Sequence, residues 1–294
     1  MVKIKQGDLV SRISYNNDII FKVCNIKDNS DGERIIILRG INVRLLADSP
    51  ESDLIPATYD EIKGDSKVYE AMTRRIPNSK NKEEKKSLRF LLREPNSATL
   101  PGKVVHIDGD GEYLELCLNE YKEKGIRAYG FEKIESEQPK IIFDILKKIH
   151  PDILVVTGHD GFFKKEKEYA DINNYRNSKY FIESVKEARK FESSLDDLII
   201  IAGACQSHYE GILDAGANFA SSPGRILIHA LDPVRVCVAI AMTNIDKVVT
   251  AKSISVDVLS GLEGIGGLTS MGKQREVAPK PRYNFEQGDV PNAI

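Results

Sequence analysis

The chain has 294 residues, of which 41% are hydrophobic and 29% charged, with 42 Lys and Arg against 44 Asp and Glu and a formal net charge of -2. That mixture fits a folded soluble protein rather than a disordered chain, and the balanced charge gives no global case for a nucleic-acid or anionic-membrane partner. Cys24, Cys117, Cys205 and Cys237 are widely spaced and form no C-x-x-C pair, which argues against a disulfide scaffold or zinc knuckle and for a reducing compartment.

The first residues, MVKIKQGDLV, lack the long apolar segment of a secretory signal. No run approaches the roughly 18–20 apolar residues of a membrane span. The expectation is cytosolic synthesis and action without a membrane span.

Residues 1–58 read as a small β-rich domain. Asp8–Ile13, Ile19–Val23, Arg34–Leu38 and Val43–Leu46 are short strand candidates separated by turns, a pattern that suggests an SH3-like barrel. Residues 59–100 change character and read as a basic linker with a short helix. Between Arg74 and Arg93 stand eight basic residues against Glu83 and Glu84, with no alternating aromatics to form a nucleic-acid stacking platform. Such an exposed basic segment is also accessible to proteolytic processing.

From residue 101 to 294 the periodicity is that of an α/β domain. Lys103–Ile107 predicts a strand, Glu112–Lys124 a helix ended by Gly125, and Ile126–Phe131 a second strand. A helix fits Gln138–Ile149, with Ile141, Ile142, Ile145, Leu146 and Ile149 as its stripe. Ile153–Thr157 and Leu198–Ala202 are apolar without alternation, as strands buried on both faces are. Between them a helix fits Lys179–Glu192. A short helix at 207–216, a strand at Ala217–Ser221, an ambiguous Ile226–Ala230 and a helix opened by Asp232-Pro233 follow. Strand and helix alternating in this way predict a largely parallel sheet covered by helices. Gly261, Gly264, Gly266 and Gly267 cluster near the end without the spacing of a phosphate loop.

Two turns carry the chemistry. Gly158-His159-Asp160-Gly161 follows one buried strand and Gly203-Ala204-Cys205-Gln206-Ser207-His208 follows the next. In a parallel sheet both turns open on the edge where ligand sites gather, so His159 and Cys205 meet if their strands are neighbours. An imidazole beside a thiol promotes the reactive thiolate and then gives its proton to the leaving amine. Backbone amides of Cys205 and of the Asp160-Gly161 turn are the candidate oxyanion donors. His208 is a rival base, and Ser207 a rival nucleophile without a G-x-S-x-G elbow. His106 and His229 with Asp108, Asp110 and Asp160 offer possible ligands, but no tight spacing supports a particular metal ion. Neither a metal nor a cofactor is expected. A flavodoxin-like or receiver-like binding module, with Asp108 and Asp110 at a strand end, is the non-enzymatic alternative.

These turns resemble those of caspase-like cysteine peptidases, in which a His turn follows one strand and an Ala-Cys turn the next. Asp160 stands where that group often has Gly, and the Gln-Ala-Cys-x-Gly signature is absent. Lys5–Arg12, Val155–His159, Gly203–His208 and Ala230–Pro233 further resemble the YabG family of sporulation-specific proteases. The resemblance implies a cysteine endopeptidase associated with the developing spore coat that processes coat or germination-related proteins. It also implies cleavage after Arg or Lys, and self-cleavage for which the basic stretch is a reasonable place. An acidic residue should then line the specificity pocket, with Asp160 and Asp214 as candidates.

Overall fold

The computed structural model describes residues 3–28, 32–64, 99–163, 168–255 and 257–276. The basic stretch from Arg74 to Arg93 lies outside them. The N-terminal strands β1 (Leu9–Arg12), β2 (Ile20–Asp28), β3 (Arg34–Gly40), β4 (Leu46–Pro50) and β5 (Leu54–Pro56) form one antiparallel sheet in the order β4-β3-β2-β1-β5. Alternation selects its buried face: in β3, Ile36 and Leu38 point inward while Ile35 and Ile37 stay half-buried. The inward set packs with Ile4, Val10, Phe21, Val23 and Leu54. Burying each large side chain of this kind contributes about 1.5–3 kcal/mol.

One predicted strand departs from this sheet. Of Val43–Leu46, only Leu46 belongs to β4. Val43 instead bridges antiparallel to His229, and Leu45 bridges parallel to Asp160. The connection between β3 and β4 therefore reaches into the second half of the molecule.

That half is built on β6 (Val104–Asp108), β7 (Ala128–Glu132), β8 (Ile153–Thr157), β9 (Ile199–Ala202), β10 (Phe219–Ser221) and β11 (Ile265–Gly267), ordered β11-β10-β9-β8-β6-β7. Every pairing is parallel except β10 with β11. The main helices are α1 (Gly111–Glu123), α2 (Gln138–Ile149), α3 (Ser178–Phe191), α4 (Tyr209–Asp214) and α5 (Asp232–Ala241). Helices α1 and α5 cover one face, where Cys117, Tyr121, Val234 and Cys237 meet Val104, Ile153, Val155, Ile199 and Ile201. On the other face, α2, α3 and α4 bring Ile142, Leu146, Phe181, Val185 and Ile212 onto Val105, Ile107, Leu154, Val156 and Ile200. Both faces being buried explains the unalternated apolar runs of β8 and β9.

Two expectations need local correction. Asp232 is the first residue of α5, preceded by Leu231 at the N-cap position. Its carboxylate instead accepts the N–H groups of Leu259 (2.9 Å) and Ser260 (3.2 Å), which ties α5 to the segment before β11. Ile226–Ala230 is neither helix nor named strand; it runs extended to the bridge at His229.

Register aligns Ile153 with Ile199 and Val104 with Ile153, so the carboxyl ends of β6, β8 and β9 lie side by side. The connections from β6 and β8 leave in opposite directions, to β7 and to β9. A crevice opens where such strand order reverses.

Candidate active site

Cys205 sits one short turn beyond β9. Gly203 makes that turn possible: its φ is +110°, a conformation that L side chains rarely adopt, and its N–H still donates to Val156 at 3.0 Å. The Cys205 sulfur accepts the Ile228 N–H at 3.1 Å. It is fully buried, and burial pushes the thiol up to about 12.

His159 leaves β8 one strand away. Its N–H donates to Glu135 at 2.7 Å, its ring stacks on Tyr113 with centroids 5.1 Å apart, and its Nε2 lies 3.6 Å from Asp110. Burial, reinforced by the charge of Arg44, pushes the imidazole down to about 3. The Gly40 carbonyl is its backbone hydrogen-bond partner. The structure thus gathers His159 and Cys205 at one sheet edge, but among the described residues no hydrogen bond joins the thiol to the imidazole.

Between them runs the extended segment Asn42–Leu46. The Arg44 carbonyl accepts two N–H groups, those of Cys205 and Asp160, each at 3.2 Å. The Arg44 N–H donates to Ile228 (3.4 Å), the Asn42 carbonyl accepts from Ala230 (3.4 Å), and the Leu46 N–H donates to Asp160 (2.8 Å). The close passage needs Gly161, whose added Cβ would strike the Leu46 carbonyl.

The Arg44 side chain is fully buried. Its Nη1 lies 2.8 Å from Asp108 Oδ2 and 3.3 Å from the Gly158 carbonyl. Nε donates to the Ala230 carbonyl (3.0 Å) and Nη2 to the Cys117 sulfur (3.6 Å), while the guanidinium carbon lies 5.0 Å from the Tyr113 ring centre. A buried charge is tolerable only when paired and hydrogen-bonded, and here every nitrogen is. Burial alone would raise the Asp108 carboxyl. The Arg44 charge and hydrogen bonds from His106 and Thr157 outweigh it and hold the group well below the usual carboxylate range.

The remaining sequence candidates have other duties. The Asp160 carboxylate accepts from Gly161 (2.8 Å), Asn177 (2.8 Å), Ser178 (2.5 Å) and Ser207 (2.9 Å), so it braces the two turns and does not meet the guanidinium. Because the Gly161 N–H is spent on that carboxylate, the amides facing the Arg44 carbonyl are those of Asp160 and Cys205. Asp214 is exposed at the end of α4. The Ser207 hydroxyl accepts from the Ala204 N–H (2.9 Å) while donating to Asp160. His208 caps α4: its Nδ1 accepts from Gly211 at 3.0 Å, and Nε2 meets the Ala170 carbonyl at 3.1 Å. Asp110 caps α1 by accepting from Glu112 (2.9 Å), and pairs with Arg39 at 3.0 Å.

His106, Asp108 and Cys117 offer ligand atoms within 4.8 Å of one another. Arg44 already presents Nη1 to Asp108 and Nη2 to Cys117, so this trio seats a guanidinium. Both His106 nitrogens are also engaged, by Tyr121 (3.1 Å) and Thr157 (2.8 Å). Cys117 lies in the core between α1 and the sheet, with its sulfur accepting from Arg44, and not on either of the two turns.

Sequence reasoning missed Glu135. Its carboxyl lies against Gly109 and Gly158, where an added Cβ would collide with it, and burial pushes it up to about 7. A carboxyl raised in the fold makes stability fall as pH rises from its unfolded value, near 4.5, through about 7. Glu135→Gln should keep the acceptor for His159 and flatten that fall. Thermal unfolding of both proteins between pH 5 and 8 checks this; parallel curves would refute it.

Parallel strands bring a thiol and an imidazole to one edge of a mixed α/β protein, with paired amides around a carbonyl between them. Comparison with known proteins gives the family. A family model described as YabG peptidase U57 matches residues 5–279. The chain is also 41% identical over 277 residues to the sporulation-specific protease YabG of Bacillus subtilis (strain 168), covering 92% of this chain and 96% of that protein. The chain belongs to the YabG peptidase U57 family, which bears out the resemblance to that family.

Proposed function

We propose that the chain is a cysteine endopeptidase that cleaves after Arg, with Cys205 as nucleophile and His159 as its base. The observation that carries this reading is the seating of Arg44. Its carbonyl faces two amides, its main chain pairs with Ile228–Ala230, and its guanidinium ends on Asp108. A substrate bound in the same way puts its scissile carbonyl beside the Cys205 sulfur. His159 takes the thiol proton and the thiolate adds to the carbonyl carbon. The N–H groups of Asp160 and Cys205 hold the oxyanion. The imidazolium then protonates the leaving amine, and water hydrolyses the thioester with His159 again as base.

Asp108 takes the specificity role assigned from sequence to Asp160 or Asp214. Arg is favoured over Lys because the pocket presents acceptors to a planar fork: Asp108 with the Gly158 carbonyl at Nη1, and the Ala230 carbonyl at Nε. A lysine ammonium reaches only one end of that set.

On this reading residues 101–294 are a caspase-like peptidase domain, supported by the parallel strand order and the two turns. Residues 1–58 are an SH3-like module and 59–100 a linker. The relative's name supports a role in sporulation. On the same reading the substrates are coat or germination-related proteins, the chain associates with the developing coat, and it cleaves itself in the basic linker.

The test is hydrolysis of matched arginyl and lysyl peptides in reducing buffer, with alkylated cysteines mapped by mass spectrometry. The expected kcat/KM ratio favours Arg by about tenfold or more, equivalent to at least one lost charge-assisted hydrogen bond. Loss of activity should track alkylation of Cys205. Full activity with Cys205 completely modified would sink the mechanism.

A further inference from the structure

We propose that the β3–β4 connection is a built-in inhibitor, with Asn42–Leu46 occupying the active site as an internal substrate mimic and Arg44 filling the specificity pocket. The inference rests on the cysteine peptidase reading and adds to it that the chain folds into a latent form.

Occupancy is complete at each point a substrate would use. Backbone pairing on Ile228 and Ala230, the two amides at the carbonyl, the carboxylate of Asp108 and the pairing of Leu46 with Asp160 are all taken by residues 42–46. No peptide enters while they remain. The same connection also holds the catalytic groups apart. Gly40, at the end of β3, presents its carbonyl to the His159 ring, and Tyr113 stacks on that ring while its hydroxyl donates to Gly40 (2.9 Å) and Val43 (3.2 Å).

The segment has reasons to stay whole although its carbonyl is presented. Thiol and imidazole are both buried in their neutral forms, so the nucleophile is scarce. After any attack the new amine would belong to Leu45, which bridges to Asp160 and leads into β4. A leaving group held in place re-forms the bond it left rather than diffusing away.

Withdrawal of the connection admits water and substrate together. A partner or substrate that competes for Arg44's pocket shifts the chain toward the open form only by its differential affinity for that form. Activation is therefore displacement of one short segment, with no rebuilding of the sheet that carries Cys205 and His159.

Alkylation of Cys205 reads this independently of catalysis. In the full chain, Arg44→Ala and Arg44→Glu should raise the iodoacetamide rate at Cys205 by about tenfold or more, because a buried neutral thiol becomes exposed. Cys237, on the core-facing side of α5, serves as the control and should stay unreacted. Unchanged reactivity of Cys205 in Arg44→Glu overturns the proposal.

If both variants loosen the whole fold, seen as reaction of Cys237, the wild-type chain decides. A peptidyl argininal at concentrations that block Cys205 alkylation should increase hydrogen exchange at the Arg44 and Leu46 amides. Retained protection there, with Cys205 blocked, overturns the proposal. Gain of Cys205 reactivity without peptide hydrolysis in any variant would confirm that residues 42–46 cover Cys205 and overturn the peptidase reading on which their inhibitory role rests.

Discussion

Cys205→Ala should abolish hydrolysis of arginyl peptides, with kcat falling by about 10³-fold or more, the scale on which loss of a covalent nucleophile registers. Stability should fall by only about 1–3 kcal/mol, the cost of leaving the buried Ile228 N–H without its acceptor. The side chain is small, and its sulfur accepts one backbone N–H, that of Ile228. His159→Ala should lose a comparable factor. The double variant should be scarcely worse than either single one, because base and nucleophile act as a unit. Single-turnover and steady-state assays with an arginyl peptide check all three proteins. Hydrolysis surviving in Cys205→Ala would return attention to Ser207, whose hydroxyl is already committed to Asp160 and the Ala204 amide. His208→Ala should retain the hydrolytic rate, since that ring caps α4 and faces Ala170.

The pairing of the turns that carry His159 and Cys205 was legible because its signal is local. Ile153–Thr157 and Leu198–Ala202 are short, apolar and unalternated, which is the pattern of interior parallel strands, and their register places both turns on one edge. The helix from Gln138 to Ile149 was readable to the residue from its apolar stripe. Asp108 and Arg44 belong to another kind of information. They are separated by 64 positions, one at the end of β6 and the other in the β3–β4 connection, so no spacing in the sequence links them. Asp108 was recognisable as a strand-end carboxylate, a class of residue that often faces a ligand. What it faces depends on where the β3–β4 connection goes.

Arg44 itself was hidden by its surroundings. Val43-Arg44-Leu45-Leu46 reads as a strand because the flanking residues are apolar, and an arginine in such a run is ordinarily assigned to the exposed face. The segment is indeed extended, but only its end stays with β3, through Leu45 and Leu46, while the rest is held by Ile228, His229 and Asp160. A substrate-like conformation and a strand conformation share the same backbone dihedrals, so propensity cannot tell them apart. Glu135 escaped for a related reason. Its importance comes from close approach to Gly158 and His159, and its own short helical turn carries no mark of that role.

Asp108→Ala should be the most destabilising single change in the molecule among the side chains described above. It strands the guanidinium of Arg44 in a fully buried pocket, and removing one partner of a buried pair typically costs about 3–5 kcal/mol. Arg44→Leu combined with Asp108→Leu should recover much of that loss, because an apolar pair of similar volume needs no charge compensation. Urea unfolding of wild type, Arg44→Leu, Asp108→Leu and the double variant gives the coupling energy directly, and strict additivity would show that the ion pair contributes nothing. The effect has a pH signature. The folded carboxyl is held below its unfolded value of about 3.8, so the pair's contribution is fully present above that pH and declines as pH falls toward the folded value. The stability gap between wild type and Asp108→Ala should therefore be constant near neutrality and narrow below about pH 4. Activity adds the decisive contrast. Asp108→Asn keeps the shape of the pocket but removes its charge, so it should weaken the hold on Arg44 and, by the same step, lower the preference for arginyl over neutral substrates. Faster alkylation of Cys205 together with a lower arginyl kcat/KM is the combination expected when one carboxylate serves both the internal segment and the substrate. An arginyl preference unchanged in Asp108→Asn would assign the pocket to a different acid.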